Sequence, residues 1–130
     1  VPPRDIFPKA AWAYAGFNTP EAALRTIRWA TLQGDLKTLK LGYATPEEQD
    51  AFAQSKLAQF SGKSESEIAE AIGGGVNDMD GYRIVERTTY ANGDVGITYY
   101  CDGTGLTKYI RLQQVGDEWR IAPGPRGGQP

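Results

Sequence analysis

Glu86, Tyr99 and Lys108 are the residues of this chain whose types and expected placement could do chemistry. A carboxylate, a phenol and an ammonium in one row could act as general base, hydrogen-bond donor and charge partner. What would bring them together is a strand register. From Tyr82 onward the hydrophobic period is two, and Tyr82 to Tyr90, Val95 to Cys101, Leu106 to Val115 and Trp119 to Ala122 read as four strands. Asn92-Gly93, Asp102-Gly103-Thr104-Gly105 and Gly116-Asp117 separate them, and turns this short make an antiparallel meander. A two-residue loop at Asn92-Gly93 sets Tyr90 opposite Val95, Thr88 opposite Ile97, Glu86 opposite Tyr99 and Ile84 opposite Cys101. A four-residue loop at the next turn sets Tyr99 opposite Lys108, Ile97 opposite Ile110 and Cys101 opposite Leu106. Gly116-Asp117 then pairs Leu112 with Ile121 and Gln114 with Trp119.

Directly opposite side chains lie about 4.5 to 5.5 Å apart, so the three residues would touch. Glu86 is the only one of the 16 acidic residues to fall inside an expected strand. The rows on either side, Ile84/Cys101/Leu106 and Thr88/Ile97/Ile110, are mostly apolar, so a charged row between them must be ion-paired, hydrated or functional. Three readings stay open: a salt-bridged row at a wet mouth, a ligand-contacting group with Tyr82 and Trp29 beside it, and an acid/base site. The other face of the sheet would carry Arg83, Arg87, Thr98, Tyr100, Tyr109, Arg111 and Arg120. Arg87, Tyr100, Tyr109 and Arg111 on that face are candidates for a partner or anion interface, because aromatic residues and arginine are favoured at interfaces.

The first half of the chain supplies what covers the apolar face. Thr19 reads as an N-cap with Pro20 at the first helical position, and Ala23, Leu24, Ile27, Ala30 and Thr31 recur on one face. Trp29 and Leu32 point elsewhere, which makes this helix apolar on more than one side and central. Gly34-Asp35 interrupts it, and Leu36 and Leu39 continue a short turn. Thr45-Pro-Glu-Glu48 and Ser64-Glu-Ser-Glu67 are capping boxes for a second and a third helix, the third presenting Ile68, Ile72 and Val76. Gly73 to Gly75 weaken the end of the third.

Composition narrows the chemistry. The 130 residues carry 14 basic and 16 acidic side chains for a net charge of −2, with no concentrated basic patch, so nucleic acid is not an expected partner. Cys101 is the only cysteine and histidine is absent, which removes internal disulfides, cysteine- or histidine-based metal sites and histidine catalysis. No apolar run is long enough to span a membrane, and no motif calls for a cofactor. Ser61-Gly-Lys-Ser64 lacks the earlier glycine of a phosphate-binding loop, since Leu57 stands there. Asp78-Met-Asp-Gly81 has Arg83 where a calcium loop needs glycine.

Three helices followed by a curved meander, the segment AALRTIRWATLQGDLKTL at 22 to 39 and the closing VGDEWRI at 115 to 121 together resemble the nuclear transport factor 2-like superfamily, cystatin-like cone-shaped α+β domains. The resemblance spans residues 19 to 122. It implies that the long first helix lies across the concave face of the sheet and leaves a pocket, and that function resides there. It also implies a bacterial domain in a longer secreted, anchored or regulatory protein, and the start at Val1 adds the expectation of a segment removed upstream. Residues 1 to 18 are expected as an extended strap and 123 to 130 as a tail. The family's histidine-dependent pattern has no counterpart. The expected fold is therefore α+β, three N-terminal helices on the concave face of a four-stranded antiparallel meander. The expected function is a non-enzymatic small-ligand-binding or protein-interaction module, with a small hydrophobic ligand, a second copy of the chain or an attached domain as partner. The alternatives are an isomerase- or cyclase-like enzyme using a pocket carboxylate and a structural dimerisation domain.

Overall fold

A computed structural model describes residues 7–73 and 80–123. Val76 of the expected third helix and the first two residues of the Asp78-Met-Asp-Gly81 turn lie outside them, as do residues 1–6 of the strap and 124–130 of the tail. Among the described residues the chain forms four α-helices and one antiparallel sheet of five strands, curled into a half-barrel. Strand β1 (Phe7–Pro8) is followed by a 3-10 turn, then by helices α1 (Pro20–Gln33), α2 (Leu36–Leu41), α3 (Pro46–Gln59) and α4 (Glu65–Gly73). Strands β2 (Gly81–Thr89), β3 (Val95–Asp102), β4 (Leu106–Val115) and β5 (Glu118–Ile121) complete the sheet, in the spatial order β1-β2-β3-β4-β5.

Each helix starts where a side chain can satisfy a free backbone N–H. Thr19 Oγ1 accepts from the Ala22 amide at 3.0 Å and Thr45 Oγ1 from the Glu48 amide at 3.2 Å. At α4 the box is reciprocal: the Glu67 amide donates to Ser64 Oγ (3.2 Å) and the Ser64 amide to Glu67 Oε1 (3.1 Å). The short turn expected after Gly34-Asp35 is a helix in its own right, because Asp35 caps it by accepting from the Thr38 amide at 3.2 Å. Four helices therefore stand where three were expected. Gly34 closes α1 with φ +69°, and a Cβ there would lie 2.2 Å from Ala69 Cα of α4. Gly73 makes a similar close approach from α4, since its Cβ would meet the Leu32 carbonyl oxygen of α1 at 2.7 Å.

Only α1 lies fully on the sheet. Its Ala23, Leu24 and Ile27 join Tyr82, Val95, Ile97, Tyr99, Cys101, Ile110, Leu112 and Ile121 in one core. Trp12 and Phe17, in the stretch read as a strap, are buried in the same cluster. Helix α4 packs on α1 and α3 on α2, and α3 buries no residue of its own. The fifth strand, β1, escaped sequence reading because two residues ending in proline show no alternation; Phe7 pairs with Tyr82 and Pro8 with Gly81. The far edge of β5 is covered, with the Trp119 amide donating to the Phe17 carbonyl (2.7 Å) and the Ile121 amide to that of Gly42 (2.6 Å).

Registers β3/β4 and β4/β5 are as expected, with Tyr99 opposite Lys108, Cys101 opposite Leu106 and Gln114 opposite Trp119. Register β2/β3 is not. The Gly93 amide donates to the Tyr90 carbonyl (2.9 Å) and the Tyr90 amide to that of Asp94 (2.8 Å), so the loop has three residues, Ala91-Asn92-Gly93, with Gly93 at φ +92°. That one-residue change sets Glu86 opposite Thr98 and Arg87 opposite Ile97. A bulge between Ile84 and Glu86 then adds a second shift, leaving Ile84 opposite Tyr99 and Tyr82 opposite Cys101. One shift exchanges the faces of a strand and two restore them. Glu86 is consequently on the outer face with Arg83, while Arg87 turns to the helix side, where its Nε donates to Glu21 Oε2 of α1 at 2.8 Å.

Candidate functional site

The concave face keeps Tyr99 and Lys108 side by side but has Ile84, not a carboxylate, in the third place of the row. Glu86 is exposed and its nearest hydrogen-bonding neighbour is the Thr88 hydroxyl at 3.5 Å on the same outer face. The row expected from the sequence is therefore broken by the three-residue loop, which turns Glu86 outward, and the bulge then brings Ile84 into its place; an acid/base site built on Glu86 loses its base.

Between the helices and the sheet there is instead a cavity of about 420 Å³ that is open to solvent on one side. Ile27, Arg28 and Thr31 of α1 form one wall, Tyr99, Ile110 and Ile121 of the sheet another, with Tyr109 of β4 also at the lining, and Leu39, Tyr43, Phe52, Phe60, Ala71 and Ile72 form the rest. Lys56 and Gln59 of α3 add polar groups, with Lys56 Nζ donating to Gln59 Oε1 at 3.2 Å. Among the described residues that line it, none is Asp or Glu.

Arg28 reaches this cavity because of its place in the helix. It lies four residues after Leu24 and three before Thr31, inside the apolar stripe that packs on the sheet. Its Nη2 donates to Thr31 Oγ1 at 3.3 Å, and that hydroxyl in turn donates to the Ile27 carbonyl at 2.8 Å. Arg28 Nε is shielded from solvent and has no hydrogen-bond partner. Sequence reading passed over Arg28, although an arginine at i+4 from one core residue and i−3 from another was the available signal.

The phenols of the site and the buried Tyr82 and Cys101 behind it hold their protons. Burial pushes the Tyr99 hydroxyl above its ordinary value, against the opposing charge of Arg28. Burial also raises Tyr82, opposed by the charge and hydrogen bond of Arg25 and by Arg28. Tyr43 is raised by burial and then by the Glu48 carboxylate beside it. The Cys101 thiol, fully buried, is pushed up by burial while Lys108 and Arg28 pull the other way, so it is no ready nucleophile at neutral pH. At neutral pH the tyrosines are hydrogen-bond donors, not bases.

The remaining candidates are placed differently. Tyr82 is buried one ring away from the cavity wall, edge-on to Tyr99 at 5.8 Å between centroids. Trp29 projects from another side of α1 and packs edge-on to Tyr14 at 6.0 Å. Tyr100, Tyr109 and Arg111 are on the outer face, where Arg83 lies over the Tyr100 ring (5.2 Å). Arg111 Nε donates to Asp94 Oδ2 at 2.9 Å and its guanidinium lies 3.9 Å over the Tyr90 ring. The Tyr90 and Tyr109 hydroxyls share a short hydrogen bond. Arg87 has left that face, by the register change above. A second cleft of about 590 Å³ runs along the other side of α3, where Leu36, Leu57 and Ile68 are rimmed by Lys37, Lys40, Lys56 and Lys63.

Among the described residues no helix is long and apolar enough to cross a membrane. No protein-family description, curated protein or solved structure matches the chain.

Proposed function

We propose that this chain is a nuclear transport factor 2-like domain acting as a non-enzymatic small-molecule-binding module, with the cavity between α1, the outer helices and the sheet as its site. The observation that carries this reading is the cavity itself, about 420 Å³, lined by apolar side chains and by a nearly equal share of polar surface that includes Arg28, Lys56, Gln59 and Tyr99. That size and lining are those of small-ligand sites, on the order of 300 to 1,000 Å³. The position supports it further, because a long helix across the concave face of a curled antiparallel sheet is what the resemblance of residues 22 to 39 and 115 to 121 implies. The reading is non-enzymatic because the described lining holds neither a carboxylate nor a histidine, and Tyr99 keeps its proton.

Titration calorimetry with a panel of small apolar compounds, octanol and octanoate among them, tests the proposal. Saturable binding with a negative heat-capacity change is expected, as apolar surface leaves water. Ile72→Trp, which places a larger ring on the cavity wall, should reduce that binding. Absence of saturable binding across the panel, or binding that Ile72→Trp leaves unchanged, would count against the cavity as the site.

A further inference from the structure

We infer that the ligand of this cavity is an amphipathic anion, a hydrophobic carboxylate whose head group is held by Arg28. The inference rests on the binding reading above and adds the chemical class.

Arg28 lines the cavity and presents five N–H donors, of which one meets Thr31 Oγ1; its Nε is shielded and has no hydrogen-bond partner. A carboxylate accepts from a guanidinium through two parallel bonds, which is the geometry that such a group lacks when it meets only a hydroxyl. Two other arginines have an unpartnered Nε, but their settings differ: Arg120 is paired with Glu118 and donates to the Leu41 carbonyl, and Arg83 lies over the Tyr100 ring on the outer face. Arg28 has no carboxylate partner in any ion pair of the described residues.

The rest of the lining agrees. Lys56 is cationic, and Tyr43, Tyr99 and Gln59 all carry N–H or O–H donors. The described lining holds two cations, Arg28 and Lys56, and no Asp or Glu. Glu48, whose charge acts on Tyr43, is not among the lining residues. Ile27, Leu39, Ile110 and Ile121 offer an apolar bed for the tail. A guanidinium and an ammonium beside an apolar bed suit a carboxylate head group on an apolar tail.

Calorimetric titration of the wild-type chain with octanoate, octanol and octylamine tests the assignment. A charge-assisted hydrogen bond is worth enough that octanoate should bind about tenfold tighter than octanol, or more, with octylamine weakest. In Arg28→Gln, checked for folding by circular dichroism, the preference for octanoate should fall to about that of the alcohol while octanol affinity is kept, and Arg28→Lys should restore part of it. Equal affinities for octanoate and octanol in the wild type overturn the anion assignment and leave the cavity reading standing. Octylamine binding as tightly as octanoate does the same, and needs no variant. If none of the three binds, the cavity reading fails and this inference with it.

Discussion

Glu86 and Arg87 are neighbours in sequence with exchanged environments, and that exchange makes a test at the level of single residues. With Glu86 exposed on the outer face, Glu86→Gln should change stability by less than about 0.5 kcal/mol, as for surface substitutions generally. Glu86 and Lys108 should show no coupling in a double-mutant cycle read by denaturant unfolding. Arg87 and Glu21 should show a small one, a few tenths of a kcal/mol, since both side chains are more than two-fifths exposed and water screens the pair. A large Glu86–Lys108 coupling would mean that the hairpin closes in solution with a two-residue loop at Asn92-Gly93 in place of the three-residue one. Such coupling would return the carboxylate to the concave face.

At the level of elements, the joint between α1 and α4 is the least tolerant of change. Gly34→Ala would place a side chain on a residue with φ +69° and drive its Cβ against the Ala69 backbone. The left-handed conformation costs roughly 1 to 2 kcal/mol and overpacking roughly 1 to 3 more, so a loss of about 2 to 5 kcal/mol is expected in chemical denaturation. Gly93→Ala meets a positive φ with open space around it, so its loss should be confined to the conformational part, about 1 to 2 kcal/mol. Equal losses at the two sites would show that the α1–α4 approach is looser than described. Helix α3 is the opposite case. It buries no residue of its own and forms walls of both clefts, so its amides should exchange with solvent faster than those of α1, and a cavity ligand should slow them.

For the whole molecule, four phenols share one response to pH. Tyr43, Tyr82, Tyr99 and Tyr109 are all raised, chiefly by burial, and Tyr109, hydrogen-bonded to Tyr90, is pushed from 10.0 to about 12. The folded chain thus holds these protons more tightly than the unfolded one. Their contribution to stability is complete below pH 10.0 and is lost as pH rises toward about 12, so the melting temperature should fall steeply across that window. In Tyr109→Phe that alkaline fall should be shallower; an unchanged slope would remove Tyr109 from the account. Self-association belongs to this scale too. If Tyr100, Tyr109 and Arg111 form a homodimer face, light scattering should give a dimer mass at high micromolar concentration that Tyr100→Glu reduces. A wild-type monomer under those conditions removes the interface.

Local signals determined much of this protein by themselves. Thr19, Thr45 and Ser64 announce three helix starts because a cap is a contact between residues three apart, and it forms as the sequence reads. Two of the three hairpin registers were likewise legible from Asp102 to Gly105 and from Gly116-Asp117, where loop length and alternation agree. At Asn92-Gly93 the same dipeptide suits a two-residue loop or the three-residue loop that forms, and a bulge at Val85 leaves no mark in composition. The choice falls to the packed molecule: Tyr82 must stay under Trp12 and against Tyr99, which only a second one-residue shift allows once the first has occurred. Burial of that ring, a contact between residues far apart in the chain, fits the bulge that returns Ile84 and Tyr82 to the concave face, while the three-residue loop decided which face Glu86 would have. The cavity had the same origin, for Arg28 faces Tyr99 across it only after α1 has settled on the sheet.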